Sequence, residues 1–212
     1  LPVHLWLDPV DFHARWPDAL QSLANRGLQV HESTGGLGPH TKYYGTFQQY
    51  PDRNVITVDD DVLYPRTFAQ KLIDAPSAST ITAYRAHRVV LDEEGIAPYK
   101  KWRPVRSTEP SILHFATGVD GVRYPKEMVR YVAERGTEFL DLAPRADDVW
   151  LNHCALSAGF PVKQVSERSA NFPLVPGSQR VRLSRVNLSG GNDVQIAATY
   201  SAEDVAKLRA AE

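Results

Sequence analysis

The chain has 212 residues, of which 42% are hydrophobic and 23% charged, and its formal net charge is −1. This length suits one domain of moderate size that can bury a sizeable core. A balance so close to neutrality gives no bulk electrostatic reason to expect binding to nucleic acid or to an anionic membrane. The single cysteine, Cys154, excludes an intramolecular disulfide and is typical of a reducing compartment.

The hydropathy of the chain predicts no membrane span and no leader. No apolar run approaches the roughly 20 residues that cross a bilayer, and no charged and then apolar segment opens the sequence. A cytoplasmic location is the default expectation. The opening residues, LPVHLWLD, already have the pattern of a strand, so residue 1 need not be the native start.

The N-terminal part is predicted to begin an α/β sheet. After the first strand, residues 16–27 have a helical pattern, in which Pro17 suits the first turn and Gly27 the C-terminal cap. Residues 28–32 then read as a second strand.

A glycine-rich loop follows and leads into a helix predicted over 41–50. Such a loop can present backbone N–H groups to phosphate, and Lys42 would add positive charge there. The spacing matches neither the Rossmann nor the P-loop pattern, so a plain connecting loop is an open alternative.

The most informative stretch is NVITVDDDVLYP, residues 54–65. Its β-branched run, 55–58, predicts a short strand buried on both faces, and the run stops at Asp59, Asp60 and Asp61. Adjacent ionised carboxylates repel and resist desolvation, so this cluster predicts a bound divalent cation, Mg²⁺ or Mn²⁺. A solvated acidic turn is the alternative, because aspartate is common in turns.

The middle of the chain predicts further strands and helices. We expect a helix over 65–74 that buries Phe68, Leu72 and Ile73, a strand over 80–84, a surface excursion with a hairpin over 85–110, and a strand over 111–116. Residues 117–125 then form a loop in which Gly118 and Gly121 flank an aspartate. Two such glycines allow either close approach of a ligand or simply a tight turn.

A second acidic signal, Asp147 and Asp148, stands at the start of a helix predicted over 146–158 and capped by Gly159. Another helix is predicted before it, over 126–136. Acidic residues in a first turn offset the helix dipole, but a carboxylate placed there can also be a general base. His153 and Cys154 lie farther along without a metal-binding pattern, so we expect structural roles for them.

The C-terminal part is predicted from weaker patterns. Residues 162–165 and 181–186 read as strands, and NLSGGNDVQ, residues 187–195, as a polar loop that can fold back over the site. Residues 201–212 close the chain as a helix, with Ser201 and Asp204 in capping-box spacing.

A strand-end acidic triplet, a glycine-bearing loop and a second acidic pair have one economical explanation. A metal-bound diphosphate donor would be attacked by an acceptor hydroxyl, with the metal neutralising the charge on the leaving group. A carboxylate across the cleft would take the proton of that hydroxyl.

Four segments resemble those of a known family. ITVDDDVLYP resembles the D-x-D segment of metal-dependent GT-A glycosyltransferases, in particular bacterial family-2-like transferases that act on surface polysaccharides. GPHTK, TGVDGVRYP and ADDVWL resemble the segments that accompany it there, in the same order, between residues 38 and 151. The GGND stretch is a candidate for a fifth match.

The resemblance implies an α/β fold, with a GT-A-like (Rossmann-like) mixed, mostly parallel sheet flanked by helices. It implies a single domain over 1–212, in which 187–212 form a C-terminal polar loop and helix. GT-A domains usually begin with a strand and loop that hold the nucleotide base. This chain opens at the strand after them, so the first strand is expected to be lacking and the nucleotide stays open.

The resemblance also implies roles for the donor-binding residues. Asp59 would lie near the ribose and base and, with Asp61, would ligate the metal. Asp60 would support the donor sugar or the diphosphate, and Lys42 would approach the diphosphate. The loop 118–121, with Gly118 and Gly121, would line the donor or acceptor pocket.

For the chemistry, Asp148 would be the general base of an inverting displacement, with Asp147 holding sugar hydroxyls, although the choice between the two is open. The implied enzyme is a hexosyltransferase that uses Mn²⁺ or Mg²⁺ and a nucleotide-diphosphate sugar, with a UDP-sugar favoured. The acceptor would be a glycan or lipid-linked glycan, with no nucleic acid partner. Association with the inner face of the membrane stays open.

Two alternatives remain at this stage. A metal-dependent phosphohydrolase also places aspartates after a hydrophobic strand, but residues 62–65 do not resemble the turn that follows its nucleophile. An inactive module that binds a sugar nucleotide is the other alternative.

Overall fold

The structure is a computed structural model that describes residues 1–75, 79–177 and 191–212. The α-helices in these ranges are α1 Pro9–Phe12, α2 Asp18–Asn25, α3 Tyr44–Gln49, α4 Phe68–Asp74, α5 Lys126–Glu134, α6 Phe139–Leu142, α7 Asp147–Ala158, α8 Asn192–Thr199 and α9 Ala202–Arg209. The strands are β1 Val3–Leu7, β2 Leu28–Glu32, β3 Val55–Thr57, β4 Ile81–Ala83, β5 Ala86–Arg88, β6 Leu91–Asp92, β7 Gly95–Ile96, β8 Arg103–Pro104, β9 His114–Ala116, β10 Val122–Tyr124 and β11 Val162–Gln164. Two 3₁₀ helices, Gly38–Lys42 and Tyr99–Lys101, complete the regular structure.

The largest sheet has the strand order β11-β4-β10-β3. Strand β10 runs antiparallel to both of its neighbours, and only β11 and β4 are parallel in this sheet. Strands β1 and β2 form a separate parallel pair, β8-β5-β9 an antiparallel sheet, and β6-β7 a hairpin.

The predicted combination of helices and strands is therefore confirmed, but the mostly parallel sheet is wrong. After β4 the chain leaves this sheet and returns through β9 and a short loop. This path places β10 between β4 and β3. Apolar runs of three residues carry no information about strand direction, because direction depends on the connection and not on the run.

Helix α7 lies at the centre of the core. Its residues from Val149 to Leu156 are all buried, including Trp150 and Cys154. A helix that is covered on every side needs no polar stripe, and α7 has none. Gly159 ends it in the left-handed conformation at φ 74°, as the sequence predicts. The expected structural role of His153 agrees with its position, buried 3.4 Å from Asp204 of α9.

The N-terminal elements agree with the prediction in type, with shifts at their ends. Helix α2 begins at Asp18 and not at residue 16. The helix predicted over 41–50 is a 3₁₀ helix followed by α3, interrupted at Tyr43, which is completely buried. The indole Nε1 of Trp6 donates to Thr46 Oγ1 at 2.8 Å and joins β1 to α3.

Five local predictions between residues 55 and 136 need correction. The run 55–58 is not buried on both faces, because Val55 and Ile56 are only half-buried and Val58 is 40% exposed. Helix α4 begins at Phe68 rather than 65, and Ile73 points away from the core at 45% exposure. Residues 117–125 are not all loop, since β10 occupies their last part, and the helix predicted over 126–136 ends at Glu134.

The C-terminal predictions divide into three groups. Strand β11 and the capping box of Ser201 and Asp204 at the start of α9 are confirmed. The polar segment NDVQ is not a loop but the first turn of α8. The predicted strand 181–186 and residues 187–190 lie outside the described residues. No helix among those described is long and apolar enough to cross a membrane.

Candidate functional site

Lys42 joins three of the segments that the sequence singles out. Its Nζ lies 2.6 Å from Asp59 Oδ1 and 3.6 Å from Asp147 Oδ2. Gly118 lies against both charges, because a Cβ at this position would be 3.2 Å from Lys42 Nζ and 3.6 Å from Asp147 Oδ2. The glycine-rich loop, the acidic stretch, the second glycine loop and the acidic pair therefore meet at one place.

The acidic stretch is held on two sides. The backbone N–H of Asp59 donates to the hydroxyl of Tyr64 at 3.0 Å, and the Tyr64 ring packs against Phe68 and Phe172. The N–H of Leu63 donates to the carbonyl of Pro173, and the N–H of Val175 to the carbonyl of Asp61, both at 2.8 Å. The segment 172–175 thus fixes the turn that carries the aspartates.

Asn152 fixes the second glycine loop to helix α7. Its Oδ1 accepts from the N–H of Ala116 at 2.9 Å, and its Nδ2 donates to the carbonyls of Ala116 and Asp148, both at 2.8 Å. The end of β9 is thereby held beside the first turn of α7, which sets Gly118 against Asp147. The sequence analysis missed Asn152, although a lone amide in an otherwise apolar helix must find partners when it is buried.

Gly118 and Gly121 differ in conformation and in surroundings. Gly121 has φ +95°, and a Cβ there would collide with the ring of Phe68. Both facts make it a structural glycine that closes a tight turn. Gly118 lacks such strain and instead leaves room beside Lys42 and Asp147. Gly121 therefore serves a tight turn, and close approach of a ligand at Gly118 stays a prediction.

Burial and charge both act on the pair of Lys42 and Asp59. Burial lowers the pKa of Lys42, but the charges of Asp147 and Asp59 outweigh it and raise that pKa above its usual value. Burial raises the pKa of Asp59, against the opposing effect of Lys42, and the charges of Asp147 and Asp61 raise it further. Adjacent carboxylates need a positive charge nearby, and Lys42 provides one beside Asp59. Asp60 is exposed and Asp61 half-buried.

Asp148 titrates near neutral pH. Burial, followed by the charge of Asp147, raises its pKa to about 7, although Lys42 acts in the opposite direction. One carboxylate oxygen, Oδ1, accepts from the N–H of Val149 at 2.9 Å. A carboxylate with a pKa near the working pH is suited to accepting a proton during a reaction.

Asp120, between the two glycines, is a second residue that the sequence analysis left without a role. It has φ 67° and is only 2% exposed. Its Oδ1 accepts from the N–H of Phe172 at 3.1 Å, whereas Oδ2 has no hydrogen-bond partner in the described parts of the chain. Burial raises the pKa of Asp120, while the Phe172 N–H and the charge of Arg85 lower it. A non-glycine residue in this left-handed conformation is uncommon and marks a special position in the structure.

The acidic stretch is also the candidate metal site. Within residues 1–75, 79–177 and 191–212, no three His, Cys, Asp or Glu side chains form a group that could hold a metal ion. Mg²⁺ is nevertheless usually held by one or two carboxylates together with waters and substrate phosphates. The hard oxygens of Asp59 and Asp61 fit that donor set, and a cation bound there would compete with Lys42 for Asp59.

The function of the site is inferred from its own residues. A scan against models of known protein families and a search of curated proteins both find no match. The residues available for chemistry are one lysine, three partly buried aspartates and a glycine that leaves their charges accessible: Lys42, Asp59, Asp147, Asp148 and Gly118. Such a set can accept a proton and, when a cation joins the carboxylates, can bind a phosphate-bearing ligand.

Proposed function

We propose that the protein is a metal-dependent glycosyltransferase of the GT-A type. It transfers a sugar from a nucleotide-diphosphate sugar, with UDP favoured, to a hydroxyl of a glycan or lipid-linked glycan acceptor in bacterial polysaccharide synthesis. The observation that carries the proposal is the contact of Lys42 with Asp59 and Asp147 beside Gly118. Each of the four segments that resemble the family contributes one of these residues, and sequence resemblance alone does not require them to meet.

Donor binding is assigned to the lysine side of the cleft. Asp59 and Asp61 would hold Mn²⁺ or Mg²⁺, which neutralises the charge of the diphosphate when it is bound. Lys42 would contact the diphosphate and Asp60 the donor, while Gly118 lets the backbone approach closely. Asp59 and Asp147 share the single charge of Lys42. The repulsion between the two carboxylates is smallest when the metal ion adds its positive charge.

Transfer is assigned to Asp148. Its carboxylate takes the proton of the acceptor hydroxyl, whose oxygen forms a bond to the anomeric carbon. The bond from that carbon to the diphosphate oxygen breaks, and the nucleoside diphosphate leaves with the electron pair. Attack from the face opposite the leaving group inverts the anomeric configuration. Asp147, held by Lys42, would fix sugar hydroxyls during this step.

The proposed location is the cytoplasm, including the inner face of the membrane, where nucleotide sugars and lipid-linked acceptors meet.

A panel of UDP-, GDP- and CDP-linked sugars tests the proposal. We expect one of them to raise the melting temperature with Mn²⁺ but not with a chelator, by about 2.7 kcal/mol in stability at 100 times its Kd. Release of the nucleoside diphosphate should then require an acceptor. Phosphate release from simple monoesters without sugar transfer would instead favour a phosphohydrolase. Metal-dependent donor binding without turnover would identify a binding module.

A further inference from the structure

Asp120 combines two unfavourable features, and a glycine at its position would have neither. Its backbone has a left-handed φ of 67°, a conformation that glycine adopts without a steric penalty. Its carboxylate is buried, since the residue is only 2% exposed, and burial of a carboxylate is costly unless partners compensate for it. An aspartate at such a position is expected to make a contact that glycine cannot make.

The contact that Asp120 makes is with the backbone of Phe172, far along the chain. Oδ1 of Asp120 accepts from the N–H of Phe172 at 3.1 Å. The ring of Phe172 packs against the rings of Tyr64 and Tyr84, with centroids 5.7 and 5.1 Å away. The hydrogen bond therefore joins the second glycine loop to the first residue of the segment 172–175.

The same segment holds the two proposed metal ligands. At its end, the N–H of Val175 donates to the carbonyl of Asp61 at 2.8 Å. At its start, the ring of Phe172 contacts Tyr64, whose hydroxyl accepts from the N–H of Asp59 at 3.0 Å. A cation binds two carboxylates only when both lie at the coordination distance at once, so the position of this segment affects Asp59 and Asp61 together.

A hydrogen bond two residues earlier offers an alternative anchor for the segment. There the N–H of Ala170 donates to the carbonyl of Tyr84 at 2.9 Å. Asp120 binds Phe172 itself, where the chain begins to run beside the acidic turn, so the two hydrogen bonds make separate predictions. If the Ala170 bond alone fixed the segment, removal of the Asp120 side chain would leave the acidic turn unchanged.

We propose that Asp120 is a positioning residue of the metal site. Through its hydrogen bond to Phe172 it holds the segment 172–175, and this segment holds Asp59 and Asp61 at the spacing that one cation requires. The proposal rests on the proposed function for the identity of the site as a Mn²⁺ or Mg²⁺ site. Replacement of residues that orient metal ligands without touching the ion commonly weakens metal binding by about 10- to 100-fold.

The first test measures Mn²⁺ binding, with and without UDP, from the electron paramagnetic resonance signal of the free ion. Asp120→Gly removes the hydrogen bond and suits the left-handed backbone, and we expect it to weaken Mn²⁺ binding about tenfold. Asp120→Asn keeps an oxygen that can accept from Phe172, so its affinity should stay within about threefold of the parent value. Asp92→Gly is the control and should leave the affinity unchanged, because Asp92 also accepts a backbone N–H, from Glu94 at 3.2 Å, but lies in the hairpin β6-β7.

The second test measures amide hydrogen exchange in the metal-free protein. The N–H groups of Leu63 and Val175 join the acidic turn to the segment, so Asp120→Gly should lower their protection about tenfold. The N–H of Phe160, which donates to the carbonyl of Ala155 at the end of α7, should keep its protection. Exchange that stays slow at Leu63 and Val175 while Mn²⁺ affinity falls would show that Asp120 does not act through the segment. Melting temperatures of all variants establish that they fold.

Unchanged Mn²⁺ affinity in Asp120→Gly would overturn the positioning role and leave the Ala170 bond as the anchor. An equal loss of affinity in Asp120→Gly and Asp120→Asn would also overturn it, because the charge of Asp120 and not its hydrogen bond would then be responsible. If the parent chain binds no Mn²⁺ with or without UDP, the metal site fails and this role fails with it. If Mn²⁺ binding depends on Asp120 but no sugar is transferred, the positioning role stands and the proposed function fails.

Discussion

Lys42 Nζ lies 2.6 Å from Asp59 Oδ1, and the two side chains are only 22% and 19% exposed. The same amine lies 3.6 Å from Asp147 on the first turn of α7. A single lysine therefore links the end of a 3₁₀ helix, the end of a strand and the start of a helix. This contact holds the three segments together without a ligand.

Removal of the Lys42 charge should destabilise the fold. Lys42→Met leaves Asp59 and Asp147 close together without a cation, and we expect the free energy of unfolding to fall by about 2 kcal/mol, less than for a fully buried pair. Urea denaturation measures this loss. Lys71→Met, on the exposed face of α4, is the control and should change stability by less than about 0.5 kcal/mol.

A double-mutant cycle separates the lysine contact from the loss of the side chain itself. Lys42→Met combined with Asp59→Asn should lose less than the sum of the two single changes, because the second change removes the unpaired carboxylate. Strict additivity would mean that the 2.6 Å contact contributes nothing.

Asp148→Asn should slow transfer while leaving donor binding intact. The amide fills the same space but cannot accept the acceptor proton, so kcat should fall by about 10²- to 10⁴-fold. Initial rates measure kcat, and calorimetry with UDP and Mn²⁺ measures donor affinity. Asp141→Asn, at an exposed acid of α6, is the matched control. Unchanged turnover in Asp148→Asn would place the base elsewhere.

The raised pKa of Asp148 predicts two pH profiles. Because the ionised carboxylate is the base, kcat/KM should rise with pH and level off above an apparent pKa of about 7. Because the folded pKa lies above the unfolded value, this carboxyl contributes stability that is fully present below the unfolded pKa. That stability is lost as pH rises through about 7.

Variants verify the assignment of both profiles. Asp147→Asn removes a charge that raises the pKa of Asp148, so the apparent pKa of any residual rate should fall. In Asp148→Asn, the decline in melting temperature between pH 5 and 8 should become shallower. A decline of the same slope would assign it to other groups.

Gly121→Ala should destabilise the fold more than Gly27→Ala. Both glycines have left-handed φ, +95° and +107°, but a Cβ at Gly121 meets the ring of Phe68 and a Cβ at Gly27 meets nothing within 4 Å. We expect Gly27→Ala to cost about 1–2 kcal/mol from backbone strain, and Gly121→Ala about 1–3 kcal/mol more from overpacking. Chemical denaturation of both variants compares them, and equal costs would exclude the Phe68 contact as a cause.

The sequence predicted most helices and strands, because short-range patterns determine them. The β-branched run of β3, the glycine that ends α7 and the Ser201 capping box are local signals, and each was recognised. Strand β10 was not, since its residues were predicted as part of a loop, and its antiparallel direction depends on how the chain returns after residue 116.

The candidate site was predicted in part for the same reason. Asp59, Asp147, Gly118 and Lys42 were singled out by residue type, and their contact is a property of the tertiary structure. The pairing of Asp59 with a lysine was not foreseen. Asn152 was missed because its importance lies in partners that are distant in the chain.

The most direct test of the account is calorimetric titration of UDP into the protein with and without Mn²⁺, in the parent chain and in Asp61→Ala. We expect UDP binding to require Mn²⁺ in the parent chain, because the ion joins the carboxylates to the diphosphate. We expect this binding to be lost in Asp61→Ala. Asp74→Ala, in the last turn of α4, should bind as the parent does. UDP affinity that is equal with and without Mn²⁺, or unaltered in Asp61→Ala, would contradict the proposed metal-dependent donor site.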